Sequence, residues 1–278
     1  MSYSNDSQYL EIMAKQKGFI KLKGSLGGLT FYNTNGNDLI RTTGGVDKNR
    51  IKNDPAFKRT RENMSEFGAS ATVGKALRMG FANIIKTMSD NSIVGRITGL
   101  MKKINSVGTG LRGQRAFEIM PNKILLEGFE FNKTAPLDAI FYAPNTAPTL
   151  DANRSVATWV VPDFNVSNYI NAPEGATHFK LVLVTTVLSD YTFNTPLGKY
   201  EATDADENET NDIAFSAELP VVGMVGADTT LNVDLGFTVA LPATVAVINA
   251  VGIIFYQEIN TLFYELASDN AMKIASIG

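Results

Sequence analysis

The hydrophobic and polar positions along this chain of 278 residues change their spacing twice. Residues 1–17 are polar and lack an apolar period, which predicts a flexible arm. Residues 18–45 contain three short β-prone runs separated by turn residues, which predict a small β-meander. Asn35-Gly36, between the last two runs, is a strong hairpin signal because both residues tolerate positive φ. The meander is expected to pack on another surface, since a sheet this small cannot bury a core alone.

Residues 46–116 have helical spacing and predict a basic helical region. The first helix is predicted to begin with Asp54 as its cap and Pro55 in its first turn. Gly68 is the predicted end, because glycine readily takes the left-handed conformation found after many helices.

Apolar side chains mark the faces on which these helices are expected to be buried. Phe57, Met64 and Phe67 can share one face of the first helix, so we predict that all three are buried. Two longer stripes follow, and Ser92 can cap the second. The stripes consist of Val73, Leu77, Phe81, Ile84, Ile85 and Met88, and of Ile93, Ile97, Leu100, Met101 and Ile104.

The remainder, residues 117–278, has the short runs and turn residues of an antiparallel β protein. Nine strands are predicted, at residues 124–131, 138–142, 155–161, 179–188, 213–219, 230–239, 245–257, 261–267 and 272–277. Helices and strands do not alternate in this region, so the sequence does not favour a parallel sheet. The expected fold class is therefore α+β: an N-terminal β-meander and helical region, followed by an antiparallel β-sandwich that is jelly-roll-like or Ig-like.

Charge is divided unevenly along the chain. Residues 1–120 contain 19 Lys and Arg against 9 Asp and Glu, a net charge of +10, whereas residues 121–278 contain 6 against 19, a net charge of −13. Opposite charges at the two ends favour head-to-tail association of copies into a homo-oligomer. The same distribution also suits a monomer in which the two halves face each other.

A cluster of cations lies around the start of the first helix. Its members are Lys48, Arg50, Lys52, Lys58, Arg59 and Arg61. Clustered cations can contact the phosphates of a nucleic acid, or they can pair with acidic groups of a neighbouring subunit. The cluster lacks the interleaved aromatic residues on which bases stack. We therefore predict an assembly or polyanion contact at these six residues.

Little in the sequence indicates a catalytic or metal site. There is no cysteine and only one histidine, His178, so thiolate chemistry is excluded and most zinc sites are disfavoured. The acidic loop with Asp204, Asp206, Asn208 and Asp212 has oxygen atoms at alternate positions. It lacks the glycine and the bidentate glutamate of a calcium loop, so a solvated turn is favoured. We predict no enzyme activity and no cofactor.

Membrane insertion is not expected either. The longest uncharged stretch, residues 236–256, contains Pro242 and is rich in β-branched residues, so two buried strands joined by a turn explain it better than a membrane span. The first ten residues lack the cationic start and apolar run of a cleavable secretion signal.

Several motifs resemble an uncharacterised family of Bacteroidetes-type bacterial and phage proteins. They are Met-Ala-Lys-Gln-Lys-Gly at residues 13–18, Gly-Gly-Leu-Thr-Phe-Tyr at 27–32, Gly-Gly-Val at 44–46, Asp-Pro-Ala-Phe-Lys-Arg-Thr-Arg-Glu-Asn at 54–63, Glu66-Phe67, and Gly-Ile-Ile-Phe-Tyr-Gln at 252–257. In this family Met13 corresponds to the usual start. The resemblance implies no known activity and no active-site residues. Its phage members favour a role in a virion or another assembled structure.

These observations predict a non-enzymatic structural protein that self-assembles, as a capsid or other virion component. It would be located in a virion or assembled in the bacterial cytoplasm. One alternative is a cell-surface or filament subunit outside the cell. Another is a carbohydrate- or nucleic-acid-binding β-sandwich module, for which Trp159 and the tyrosines would be the contact residues.

Overall fold

A computed structural model describes residues 13–42 and 45–278, which fall into two units, Met1–Arg61 and Glu62–Gly278. The strands are β1 Met13–Lys15, β2 Gly24–Leu26, β3 Leu29–Thr34, β4 Asn37–Thr42, β5 Thr149–Leu150, β6 Val156–Val161, β7 His178–Ser189, β8 Tyr191–Asn194, β9 Lys199–Ala202, β10 Asn211–Phe215, β11 Leu219–Pro220, β12 Thr229–Asp234, β13 Val245–Ile259, β14 Leu262–Glu265 and β15 Ala271–Ile277. The helices are α1 Lys48–Asn53, α2 Lys58–Gly80, α3 Ile85–Met88, α4 Ile93–Val107, α5 Leu137–Ile140 and α6 Val166–Tyr169, with 3₁₀ helices at Pro55–Phe57 and Met120–Leu125. The fold is α+β with antiparallel sheets, as predicted.

The N-terminal unit contains a four-stranded antiparallel sheet in the order β1-β4-β3-β2. The hairpin predicted at Asn35-Gly36 is confirmed, because these residues join β3 to β4 with φ values of 48° and 74°. β1 is a fourth strand that the sequence did not indicate. It lies inside the segment predicted as a flexible arm, so that prediction is wrong for Met13–Lys15, which pairs with β4. Residues 1–12 of the predicted arm lie outside the described residues.

The Asp54–Pro55 helix start is confirmed, but the rest of that helix differs from the prediction. Asp54 Oδ1 accepts a hydrogen bond from the Ala56 N–H at 2.9 Å, and Pro55 opens the 3₁₀ helix. α2 follows and passes through Gly68 to Gly80, because its later turns bury a face that outweighs the cost of about 1 kcal/mol for an internal glycine.

The predicted buried face of this helix is wrong. Met64 and Phe67 are each 60% exposed, and Phe57 is only half-buried. The buried face of α2 begins at Glu66 and continues through Val73 and Leu77, so it lies on a different side of the helix. The sequence could not show which apolar positions would find a packing surface.

The second unit is built on a six-stranded antiparallel sheet. Its order is β10-β7-β13-β14, with β11 also on β7 and β15 also on β13. One face of the two central strands, which includes Val184 and Ile248, shares a core with α2 and α4. The other face, which includes Leu183 and Val251, packs with the three-stranded sheet β12-β6-β5 in a sandwich-like arrangement. Both faces of the central strands are therefore covered, which explains their nearly continuous apolar sequences.

This shared core joins the helices to the β region. The sequence placed residues 46–116 and 117–278 in separate regions, whereas residues from Glu62 onward belong to one unit. α2 approaches the sheet closely at Gly80, where a Cβ atom would lie 1.9 Å from Thr186 Oγ1. Only glycine allows this contact.

Two of the nine predicted strands are wrong. Residues 120–125 form a 3₁₀ helix, and residues 137–140 form α5. Pro121 lies in the first turn of the former and Pro136 is the N-cap residue of the latter, positions that suit proline. The hairpin β8–β9 was not predicted. In the described part of the chain, no helix combines the length and the apolar character needed to cross a membrane.

Candidate assembly surface

The sheet of the N-terminal unit carries an apolar face without a core. Ile40 on β4 pairs with Phe31 on β3 and with Ala14 on β1. Leu26 on β2 pairs with Leu29 on β3. Yet no described side chain in residues 14–42 or 45–61 is buried. Sheets are normally stabilised by packing one apolar face against another layer, so this face is incomplete as it stands.

The connection between β1 and β2 adds further exposed apolar side chains. Phe19 is 96% exposed, and Ile20 and Leu22 are also exposed. Gln16 holds this segment beside β1, because its side chain bonds both the N–H and the carbonyl of Leu22. We refer to Ala14, Phe19, Ile20, Leu22, Leu26, Leu29, Phe31 and Ile40 as the N-terminal apolar surface.

Most of the predicted basic cluster is exposed in the same unit. Lys48, Lys52, Lys58 and Arg59 are exposed. Arg50 is also exposed, and its Nε lies 3.2 Å from Asp54 Oδ2. Residues 13–61 contain 11 Lys and Arg against 3 Asp and Glu, a net charge of +8. The unit therefore combines apolar exposure with strong positive charge.

Arg61 is less exposed than the other five predicted contact residues. Its side chain is half-buried, and its Nη1 donates to the carbonyls of Ile51 at 2.7 Å and Asp54 at 2.9 Å. These carbonyls lie at the C-terminal end of α1, where the helix dipole favours a cation. Arg61 thus stabilises its own unit, and its contact with a partner stays a prediction.

A buried ion cluster in the second unit was not predicted. Glu66 on α2 is fully buried, and its carboxylate accepts both Nε and Nη2 of Arg115, at 2.8 and 2.7 Å. It also accepts from Lys102 Nζ and from the Gly113 N–H. Burial alone would raise the pKa of Glu66, but the hydrogen bonds from Arg115, Lys102 and Gly113 outweigh it and lower the pKa from 4.5 to about 2.

This cluster fastens the glycine-rich residues 106–115 against α2. Gly113 has a φ of 91°, and a Cβ atom there would lie 2.9 Å from Glu62 Cγ. The Ser65 hydroxyl also donates to the Gly113 carbonyl at 2.8 Å. The Glu66 cluster is thus architectural. The sequence holds no signal for it, because its members are separated by up to 49 positions.

The predicted acidic loop uses its oxygen atoms within the fold. Asp204 Oδ2 accepts from Thr244 Oγ1 at 2.6 Å, and Asn208 Oδ1 accepts from the Ser189 N–H at 3.0 Å. Asp206 and Asp212 are exposed. Across the described residues, no three His, Asp or Glu side chains gather where they could hold one metal ion. These hydrogen bonds fix the loop at the corner between β7 and β8.

Asp190 lies at this corner among other carboxylates. Burial, together with the charges of Glu118 and Asp204, raises its pKa from 3.8 to about 6, although a hydrogen bond from the Ile119 N–H at 2.7 Å lowers it. The charged form of Asp190 therefore destabilises the folded protein at neutral pH.

Trp159 does not lie on the surface. It is 1% exposed, packs edge-on against Phe141, and donates its Nε1–H to Asn145 Oδ1 at 3.2 Å. The prediction that Trp159 contacts a carbohydrate or a nucleic acid is therefore wrong. His178 is half-buried and packs edge-on against Phe263, with ring centroids 4.8 Å apart.

No protein-family model matches the chain, and comparison with curated proteins and with solved structures finds no similar protein. The resemblance described from the motifs therefore stays a prediction. The functional argument depends on the geometry and charge of the two units.

Proposed function

We propose that the chain is a non-enzymatic structural protein that assembles with copies of itself through its N-terminal unit. The observation that carries this proposal is a sheet with an apolar face in a unit whose described side chains are all at least partly exposed. Burying a large apolar side chain stabilises a protein by about 1.5–3 kcal/mol, so covering several of these residues would strongly favour association.

Charge supports a head-to-tail arrangement. Residues 13–61 carry a net charge of +8, whereas residues 62–278 contain 14 Lys and Arg against 23 Asp and Glu, a net charge of −9. The basic unit of one copy is thus attracted to the acidic unit of the next. A contact between two different surfaces of the same chain repeats, and it produces rings or open filaments.

Within this class, we propose a capsid or other virion component, present in a virion or assembled in the bacterial cytoplasm. The motif resemblance to a family with phage members supports this choice. A cell-surface or filament subunit would use the same contact. Nucleic-acid binding is the alternative from another class, and the exposed Lys48, Lys52 and Lys58 would contact its phosphates.

The test is the size of the purified full-length protein, measured by light scattering and negative-stain microscopy from 0.1 to 1 M salt. We expect particles or filaments that weaken as salt rises, because the screening length falls from about 10 Å to about 3 Å. A monomer at every protein and salt concentration would contradict the proposal. A monomer that binds a DNA or RNA fragment would support the nucleic-acid alternative.

A matched pair of variants locates the contact. Leu26 and Val239 are both 74% exposed, but only Leu26 belongs to the N-terminal apolar surface. Leu26→Ser should reduce assembly several-fold, whereas Val239→Ser should leave it unchanged. Circular dichroism on both variants verifies that they remain folded. Equal effects would show that assembly does not use the N-terminal apolar surface.

A further inference from the structure

The hairpin formed by β13 and β14 extends beyond the sheet. The last pair between β13 and β7 is Tyr256 with His178. Beyond it, residues 257–259 pair only with residues 262–264 of β14. Asn260 and Thr261 form a two-residue turn with φ values of 52° and 66°. A two-stranded ribbon of this kind has little stability alone, so its packing partner matters.

One face of this ribbon is apolar and exposed. The register places Ile259, Leu262 and Tyr264 on the same face, and all three are exposed. The base is fixed to the sheet, because the Glu258 N–H donates to Thr177 Oγ1 at 2.7 Å and Phe263 packs against His178. The ribbon is therefore an anchored apolar projection.

The ribbon is also acidic. Residues 256–265 contain Glu258 and Glu265 and no Lys or Arg. The N-terminal apolar surface has the opposite charge around it: Lys17 and Lys23 are exposed, and Lys21 is exposed with its Nζ 3.8 Å from Asp38 Oδ2. The two surfaces are thus complementary in charge, and each has apolar side chains that lack a cover.

We infer that the ribbon of one copy packs on the N-terminal apolar surface of a second copy. This inference rests on the proposed self-assembly and identifies the two surfaces that would meet. The register places Glu258 and Glu265 on the face of the ribbon opposite Ile259 and Leu262, so these charges act as a net charge of −2 on the whole ribbon and not at its apolar face. Two ribbons of like net charge repel each other, which disfavours contact between them.

The absence of cysteine from the chain allows a direct test by disulfide formation. Full-length Leu262→Cys protein is mixed with full-length Leu26→Cys protein, oxidised, and analysed by non-reducing electrophoresis and mass spectrometry. We expect the mixture to form a disulfide between residues 262 and 26. Its yield should be several-fold above the yield of disulfide-linked dimer that either protein gives when oxidised alone. Leu197→Cys is the control, because Leu197 and Leu262 are both 59% exposed. Its mixture with Leu26→Cys should give only background.

The outcomes separate this inference from the proposed function. If the wild-type protein assembles but residues 262 and 26 do not cross-link above the control, the inference is wrong and the proposed function stands. Predominant pairing of residue 262 with itself would instead indicate ribbon–ribbon contact, which also overturns the inference. A wild-type protein that never assembles overturns both.

Discussion

Replacing Glu66 by glutamine is expected to destabilise the second unit strongly. The carboxylate of Glu66 is fully buried and holds Arg115, Lys102 and the Gly113 N–H together. Glutamine keeps the size of the side chain but removes its charge. The two cations then lose their counter-charge inside the protein, and one amide oxygen must replace two carboxylate oxygens.

The size of this loss of stability follows from the burial of Glu66 and from its pKa. Removing one partner of a buried ion pair costs roughly 3–5 kcal/mol. Lys102 and Arg115 keep 31% and 23% of their side-chain area exposed and can partly rehydrate, so the lower end of this range applies. The change in the pKa of Glu66 from 4.5 to about 2 gives a similar value, about 3 kcal/mol.

The effect has a defined dependence on pH. Because the folded-state pKa of Glu66 is lowered, its carboxylate stabilises the protein above pH 4.5, and this contribution is lost as the pH falls through about 2. The difference in free energy of unfolding between wild type and Glu66→Gln should therefore be largest at neutral pH and should nearly vanish at pH 2.

Urea unfolding provides the assay, with the fluorescence of the single tryptophan, the buried Trp159, as the signal. Glu127→Gln is the control at a partly exposed carboxylate. Glu127 lies 3.8 Å from Lys123, and the two side chains keep 29% and 43% of their area exposed, so this change should cost less than about 1 kcal/mol. The reasoning is refuted if Glu66→Gln costs no more than Glu127→Gln, or if the difference between Glu66→Gln and wild type does not shrink in acid.

Three further predictions use the same measurement of unfolding. Gly80→Ala should destabilise the folded protein by about 1–3 kcal/mol, because its Cβ would collide with Thr186. Gly68→Ala should stabilise the folded protein by about 0.5–1 kcal/mol, since its Cβ contacts no other atom. Equal effects at the two glycines would contradict this account. Asp190→Asn should raise the free energy of unfolding at pH 7 by about 1–2 kcal/mol. The charged carboxylate destabilises the folded protein above pH 6, and this destabilisation disappears as the pH falls below 3.8. A loss of stability at pH 7 would contradict this prediction. Thr261→Gly should stabilise by about 1 kcal/mol by relieving a threonine at a φ of 66°, and an unchanged midpoint would argue against strain there.

Features that depend on neighbours in the chain are predictable from the sequence. The Asn35-Gly36 turn and the Asp54 cap follow from the backbone preferences and short-range hydrogen bonds of adjacent residues. The stripe from Ile93 to Ile104 predicts α4 correctly, because helical spacing alone places these side chains on one face. The long apolar runs bounded by turn residues likewise predict the long strands β7 and β13.

Features that depend on distant parts of the chain are not predictable in this way. The backbone preference of Gly68 predicts the end of a helix. The helix continues past it because the following turns pack on the sheet, which the local sequence does not show. Glu66 reads as an ordinary exposed residue, and only the fold brings Lys102 and Arg115 to it. Arg61 likewise belongs by composition to a cationic cluster, yet it bonds the end of α1.

The candidate assembly surface shows the same division. The sequence alone identifies the basic N-terminal region and the short apolar runs of the meander. It does not show that Leu26 lies uncovered in its sheet, or that Leu262 lies on a ribbon that extends past the last pair with β7. Periodicity determines which side chains share a face. What that face contacts is decided by segments far away in the sequence, and only the tertiary structure brings those segments together or leaves the face exposed.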